Sequence, residues 1–295
     1  MADIGEVITA MVTPFDEGLN LDLEACGRLI EYLIENGSDG VLLSGTTGES
    51  PTLSDEEKLS LFRFAKESYG NKTKIIAGTG SNDTKHSIEL SKEAEKIGVD
   101  CLLLVTPYYN KPTQWGLYKH FEAIAREVSL PIIVYNVPSR TSCNISSKIC
   151  VELSKIDNIV GVKEASGDLK QISEIVRDSQ EGFLVFSGND GETLPILSVG
   201  GYGVISVASH LIGREIKKMI SCFKQGRVKE ASELHSYWLD LFYSIFITTN
   251  PIPVKEALNL KGIKVGSTRP PLYPMDERQS KEFRDILLKY KIISG

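Results

Sequence analysis

The sequence predicts a (β/α)₈ TIM barrel followed by a C-terminal helical region. Three observations predict it. Eight short β-rich runs recur at residues 7–12, 40–43, 74–77, 101–105, 131–135, 159–163, 184–187 and 203–207. Amphipathic helix signals lie between them. The average spacing is roughly 25–30 residues, the length of one strand plus one crossover helix in such a barrel.

The runs are nearly all apolar, as strands are when both faces of a parallel sheet are covered. After Asp22, Leu23, Cys26, Ile30 and Leu33 recur at helical spacing. Ser54 followed by Glu57 forms a capping box, with Leu61, Phe62, Ala65 and Tyr69 on one face behind it. Asp168 followed by Gln171 looks like a weaker version of the same signal. An open doubly wound sheet is the alternative, but its usual glycine fingerprint in the first turn is missing. From about residue 216 onward the pattern is helical, with proline-rich breaks at 250–254 and 269–274. The expected division is a barrel over 1–225 and a helical region over 226–295, packed on the barrel and not an independent domain.

The chain has 295 residues, room for a barrel of about 250 and an appendage. Apolar residues make up 41%, enough for a large core, and the net charge of −6 comes without any basic stripe. A sequence-independent grip on nucleic acid is therefore disfavoured. No apolar run approaches the roughly 20 residues of a membrane span. The acidic first six residues lack an apolar signal core, so a cytoplasmic protein is expected. The five cysteines are odd in number and show no CxxC spacing, which argues against a disulfide framework or zinc ribbon. The four histidines are scattered and no HExxH occurs, so no catalytic metal is expected.

In a parallel barrel, functional groups sit at the C-terminal ends of strands. The sixth run ends in Lys163. Alternation puts Ile159, Gly161 and Lys163 on one face and Val160 and Val162 on the other. With the valines on the helix layer, Lys163 points into the barrel mouth above a glycine that leaves it room. A desolvated lysine there favours its neutral amine, a nucleophile for ketones. The other reading is a solvated lysine at the rim. By the same parity Tyr135 faces inward with Ile133, where a phenol could shuttle protons or simply cap a core layer. Arg140, in a loop past the fifth strand, could clamp a carboxylate or lie idle on the surface. Thr46 and Thr47 sit in a glycine-bearing loop after the second strand, able to bind a carboxylate or merely to turn. Tyr108 and Tyr109 after the fourth strand suit a site or an interface.

Six segments go further: GTTGES at 45–50, VTPYYNKP at 105–112, YNVPSRT at 135–141, GVKEASG at 161–167, SGND at 187–190 and NPIPVK at 250–255. In this order and spacing they resemble the dihydrodipicolinate synthase / N-acetylneuraminate lyase family, over essentially the whole chain. The resemblance implies that Lys163 forms a Schiff base with pyruvate and that Tyr135 is the acid/base beside it. Thr46 and Tyr109 would complete a proton relay, the Tyr109 position being supplied by a neighbouring subunit. Thr47, Ile205 and Gly188 match pyruvate-binding and pocket positions. Arg140 matches the arginine that receives the second substrate's carboxylate. The arginine and the double-threonine loop resemble the synthase branch, which condenses pyruvate with L-aspartate 4-semialdehyde in lysine (diaminopimelate) biosynthesis. No cofactor is implied, and a homotetramer built as a dimer of tight dimers is. Two other functions stay open: an aldolase for a 2-keto-3-deoxy acid or N-acetylneuraminate, and a catalytically silent keto-acid-binding barrel.

The chain also departs from the family pattern. Thr248 stands where Glu is frequent, with no consequence that can be assigned. Ser50, Asn82 and Tyr108 resemble the lysine feedback site of some members. However, Asp55 and Lys58 replace histidines of the lysine-sensitive bacterial members, and His86 replaces a glutamate. Weak or absent lysine inhibition is expected, because a cationic ligand loses a carboxylate and gains a possible positive neighbour.

Overall fold

The computed structural model describes residues 4–294. Residues 1–3, on which the reading of the acidic start partly rests, lie outside the described residues. Eight strands close into one parallel barrel in sequence order. They are β1 (Val7–Ala10), β2 (Gly40–Leu43), β3 (Lys74–Gly78), β4 (Cys101–Val105), β5 (Ile132–Asn136), β6 (Ile159–Glu164), β7 (Leu184–Ser187) and β8 (Gly203–Ser206). The TIM-barrel expectation is borne out. The outermost expected strands are shorter at their ends for a physical reason: the amide of Val12 donates to the His210 ring (3.1 Å) and that of Val207 to Asp190 (3.1 Å). Neither donor is left for a strand ladder.

The helices around the barrel are α1 (Leu23–Glu35), α2 (Asp55–Tyr69), α3 (Thr84–Ile97), α4 (Gln114–Ala125), α5 (Pro138–Thr141), α6 (Ser147–Leu153), α7 (Leu169–Asp178), α8 (Thr193–Ser198) and α9 (Ser209–Lys224). The C-terminal region follows as α10 (Val228–Tyr237), α11 (Leu239–Ser244), α12 (Ile252–Leu260) and α13 (Glu277–Lys289). The expected break at 250–254 is shorter than the prolines suggested. α12 starts at Ile252 and holds Pro253 in its first turn, where a missing N–H costs nothing. No helix among the described residues is long and apolar enough to cross a membrane.

Caps set several helix starts. Asp22 accepts from the Ala25 amide (2.8 Å) and begins α1, whose Leu29, Ile30 and Leu33 are fully buried. Each such side chain stabilises the packed layer by about 1.5–3 kcal/mol. Ser54 and Glu57 form the expected reciprocal capping box at α2. At α7 only half of it forms. Asp168 accepts from the Gln171 amide (3.0 Å), but the Gln171 side chain donates to Glu164 (3.1 Å) instead of returning to the cap.

Two cores flank the sheet. Ile8, Leu42, Ile76, Leu103, Ile133, Phe186 and Ile205 fill the barrel, while the larger cluster lies between strands and helices. In β6 the expected parity fails at its start. The pairing slips so that Ile132 faces Ile159 and Ile133 faces Gly161, leaving Val160 as an extra residue. Ile159 therefore packs outward and Val160 against the barrel interior, the reverse of simple alternation. Beyond the bulge Val162 packs outward and Lys163 shares the inner face of its ladder neighbours Tyr135 and Phe186. Gly161 is demanded by β7: a Cβ there would meet the Leu184 carbonyl oxygen at 2.5 Å.

Candidate active site

Lys163 and Tyr135 are paired across the β5–β6 ladder at the C-terminal end of the barrel. Both are buried, and the Lys163 Nζ lies 4.3 Å from the centre of the Tyr135 ring. The solvated-rim alternative for Lys163 does not hold. Burial pulls the Lys163 ammonium down to about 8, against the pull of Asp190, which favours the charged form; Arg140 adds repulsion. An amine in that range is partly neutral at physiological pH. Burial also pushes the Tyr135 phenol up, with the Arg140 charge and the Thr46 hydroxyl offsetting part of the effect. Asp190 is raised by burial too, despite accepting from the Ser206 hydroxyl and from the amides of Ala208 (3.0 Å) and Val207 (3.1 Å). Lysine and aspartate thus both shift toward their neutral forms, because desolvation exceeds their mutual attraction.

A cavity of about 680 Å³ opens at this end, with Thr46, Tyr135, Val137, Arg140, Asn250 and Leu272 among its walls. Lys163 is in contact with one of those walls, its Nζ over the Tyr135 ring. Thr46 reaches the cavity from the loop after β2, and Thr47 beside it is buried, its hydroxyl accepting from the Asn250 amide (2.9 Å). Arg140 is exposed and sits on α5, a single helical turn, where a loop was expected. The turn forms because Pro138 is pre-set at its start and the Ser142 amide closes it onto the Pro138 carbonyl.

Ile205 is fully buried inside the barrel, next to Ile8 on β1. Gly188 stands where no side chain fits, because a Cβ would meet that of Ala165 at 2.7 Å. Its amide donates to the Glu164 carbonyl (2.7 Å). Tyr109 is not brought to this cavity by its own chain. It is 90% exposed, in the left-handed backbone region at φ 73°. All eight singled-out residues lie at or just past the C-terminal ends of the strands; Tyr109, beside the cavity-lining Tyr108, is the one whose side chain is almost wholly exposed.

Several residues around the site were not singled out from the sequence. Glu164 is fully buried behind the strands and accepts from Asn136 (3.0 Å), Gln171 (3.1 Å) and the Ser166 amide (2.8 Å). This network ties the ends of β5 and β6 together directly behind Tyr135 and Lys163. Asp190 and the buried pair Glu49–Lys255 were missed as well. A signal existed for Glu164: a charged residue at the end of an apolar strand needs a partner. All five cysteines are buried free thiols, and among the described residues no three His, Cys, Asp or Glu side chains cluster as metal ligands.

Residues 3–290 match the Dihydrodipicolinate synthetase family. The chain belongs to that family. The resemblance drawn from the six motifs is borne out. Among curated members of the family, the 4-hydroxy-tetrahydrodipicolinate synthase of Bacillus velezensis is 49% identical over 97% of this chain and 99% of its own. That of Moorella thermoacetica is 53% identical over 91% of this chain and 92% of its own. The dihydrodipicolinate synthase structure from Bacillus anthracis superposes with a TM-score of 0.95 at 46% identity, covering 98% and 99% of the two chains. A further solved relative, described as the first monomeric dihydrodipicolinate synthase variant, has a TM-score of 0.95 at 40% identity over 98% and 97%.

Proposed function

We propose that this chain is a 4-hydroxy-tetrahydrodipicolinate synthase that condenses pyruvate with L-aspartate 4-semialdehyde through a Schiff base on Lys163. One observation carries the mechanism: a buried lysine, held near pKa 8 by desolvation, lies against Tyr135 at the cavity end of the barrel. The relatives at 49–53% identity bear that synthase name over nearly their whole length, which favours this branch over a sugar-acid aldolase.

Neutral Lys163 attacks the pyruvate ketone. Tyr135, with Thr46 beside it, moves protons so that water leaves and an iminium forms. The iminium takes up the electron pair as a methyl proton departs, giving an enamine. The enamine carbon attacks the aldehyde of the semialdehyde, whose carboxylate is held by Arg140. The substrate's own amine then attacks the imine carbon, closes the ring and displaces Lys163. Thr47, Gly188 and Ile205 shape the pyruvate end of the pocket. Because the lysine supplies the covalent electron sink, the reaction calls for no metal or organic cofactor.

The exposure of Tyr109 supports a tight dimer in which that ring completes the neighbour's relay, and a tetramer of two such dimers follows the family pattern. The buried thiols suit a reducing cytoplasm. Lys58 and His86 both reach Asp55, at 3.4 and 2.7 Å, so that carboxylate is already engaged and a lysine effector would meet the Lys58 ammonium, which supports weak feedback. The test is turnover of the purified chain with both substrates. Formation of the cyclic product with L-aspartate 4-semialdehyde, and not with a sugar aldehyde or N-acetylmannosamine, is expected. Turnover only with the sugar substrates would reassign the branch.

A further inference from the structure

We infer that Glu49, Lys255 and Arg269 are positioning residues, a buried charged strut through which the C-terminal region holds the Thr46–Thr47 loop in its working conformation. The inference rests on the reading above that these threonines serve a Schiff-base site.

The loop needs an external support. Glu49 closes its turn by donating its amide to the Thr46 carbonyl (3.1 Å), and does so at φ 55°, ψ 36°. A residue other than glycine persists in this left-handed region only when its surroundings over-determine it. Here they do. The fully buried Glu49 carboxylate meets the Lys255 Nζ at 2.7 Å on one oxygen. Its other oxygen accepts from the Arg269 backbone amide at 2.8 Å. Lys255 also donates to the Ser267 carbonyl (2.8 Å).

The same support reaches both sides of the loop. Arg269 donates to the Thr52 carbonyl (2.7 Å) and the Leu19 carbonyl (2.9 Å), and grips Glu57 with both terminal nitrogens (2.9 and 2.6 Å). The two cations share one aromatic seat: Lys255 and Arg269 each lie 4.2 Å from the centre of the Phe15 ring. Asn250, just before α12, holds the Thr47 hydroxyl, and Thr13 holds the Gly48 carbonyl (2.6 Å).

Stability alone does not account for this arrangement. A fully buried ion pair is on average no more stabilising than well-packed apolar residues of the same volume. The barrel is closed by its own eight strands, without help from α12 or from residues 261–276. What the charges add is direction: two carboxylate oxygens met from two sides allow one orientation of the Glu49 backbone, hence one position for the Thr46 peptide. Of the three only Glu49 lines the cavity, and its two carboxylate oxygens are taken by the Lys255 ammonium and the Arg269 amide.

The test compares Glu49→Gln with Lys255→Met in one double variant, and Arg269→Gln separately. The double variant removes both charges at nearly constant volume. It is expected to melt near the unmodified chain, yet to trap pyruvate on Lys163 under borohydride about 10- to 100-fold more slowly, as misplacement of remote groups does. Its kcat should fall by the same factor while the KM for the semialdehyde, held at Arg140, stays within about twofold. A merely structural pair predicts a lowered melting temperature with trapping at the unmodified rate well below it, and that result would overturn the assignment. Should the double variant not fold, Arg269→Gln decides: its side chain is partly exposed, trapping slowed about 3- to 10-fold supports the strut, and an unchanged rate refutes it. No adduct in the unmodified chain would instead sink the Schiff-base reading, and this assignment with it. A normal adduct in all variants sinks this assignment alone.

Discussion

Replacing Lys163 with Met should abolish activity and make the protein more stable at neutral pH. The amine is held at about 8 in the fold against an ordinary value of 10.5, because burial penalises its charge. Below pH 8 both folded and unfolded chains carry the proton, and the fold bears the full penalty, about 3 kcal/mol. Between 8 and 10.5 the unfolded chain binds more protons than the folded one, so stability rises with pH and the penalty fades. Above 10.5 it is gone. Met removes the charge while keeping much of the volume. The gain at pH 7 is therefore at most about 3 kcal/mol, the attraction to Asp190 being already contained in the value of about 8, and should shrink to under about 1 kcal/mol by pH 10. Each kcal/mol corresponds to about 2–4 °C in melting temperature for a chain approaching this size. Thermal melts of both proteins without substrate, at pH 7 and pH 10, read this directly. A variant less stable at pH 7, or a difference that does not change with pH, would refute the claim that the ammonium is held at a cost.

Other outcomes follow from the same geometry. The rate of imine formation with pyruvate should fall about tenfold per pH unit below an apparent pKa near 8, measured by borohydride quench; a flat profile between pH 6 and 8 would contradict a partly neutral Lys163. Arg140→Ala should raise the semialdehyde KM by about 10-fold or more and leave pyruvate trapping nearly unchanged. Steady-state kinetics with each substrate varied separates the two. His210 is buried, held to about 4 by desolvation, and its neutral ring accepts from Val12 while its other nitrogen faces the Val207 carbonyl. Its contribution to stability should be lost as pH falls from about 6.5 to 4, by about 3 kcal/mol, and His210→Asn should flatten that limb in denaturant titrations. Lysine at roughly 1 mM should leave turnover within about twofold, given Lys58 and His86 around Asp55; a micromolar inhibition constant would overturn this.

The barrel was legible because its strands are short, apolar and regularly spaced, features that survive any local irregularity. Lys163 and Tyr135 were placed correctly because strand parity holds from Gly161 and Ile133 onward. The reversed start of β6 was not legible: a bulge adds one residue without changing composition. Arg140 looked like a loop residue because one helical turn is too short to show a period. Glu164, Asp190 and Lys255 were missed for a different reason. Charged residues read as solvated unless a partner is known, and each of these is buried by a partner distant in sequence: Asn136 for Glu164, Ser206 for Asp190, Glu49 for Lys255. The NPIPVK segment marked the family but gave no hint that its lysine reaches the loop after β2. Tyr109 shows the remaining limit, since what a 90% exposed ring does depends on a second copy of the chain.

The most direct test is peptide mass spectrometry after incubating the purified protein with pyruvate and borohydride. A single addition of about 72 Da, the reduced pyruvate imine, on the peptide carrying Lys163 is the expected result. An unmodified Lys163, or the same mass on a different lysine, would contradict it.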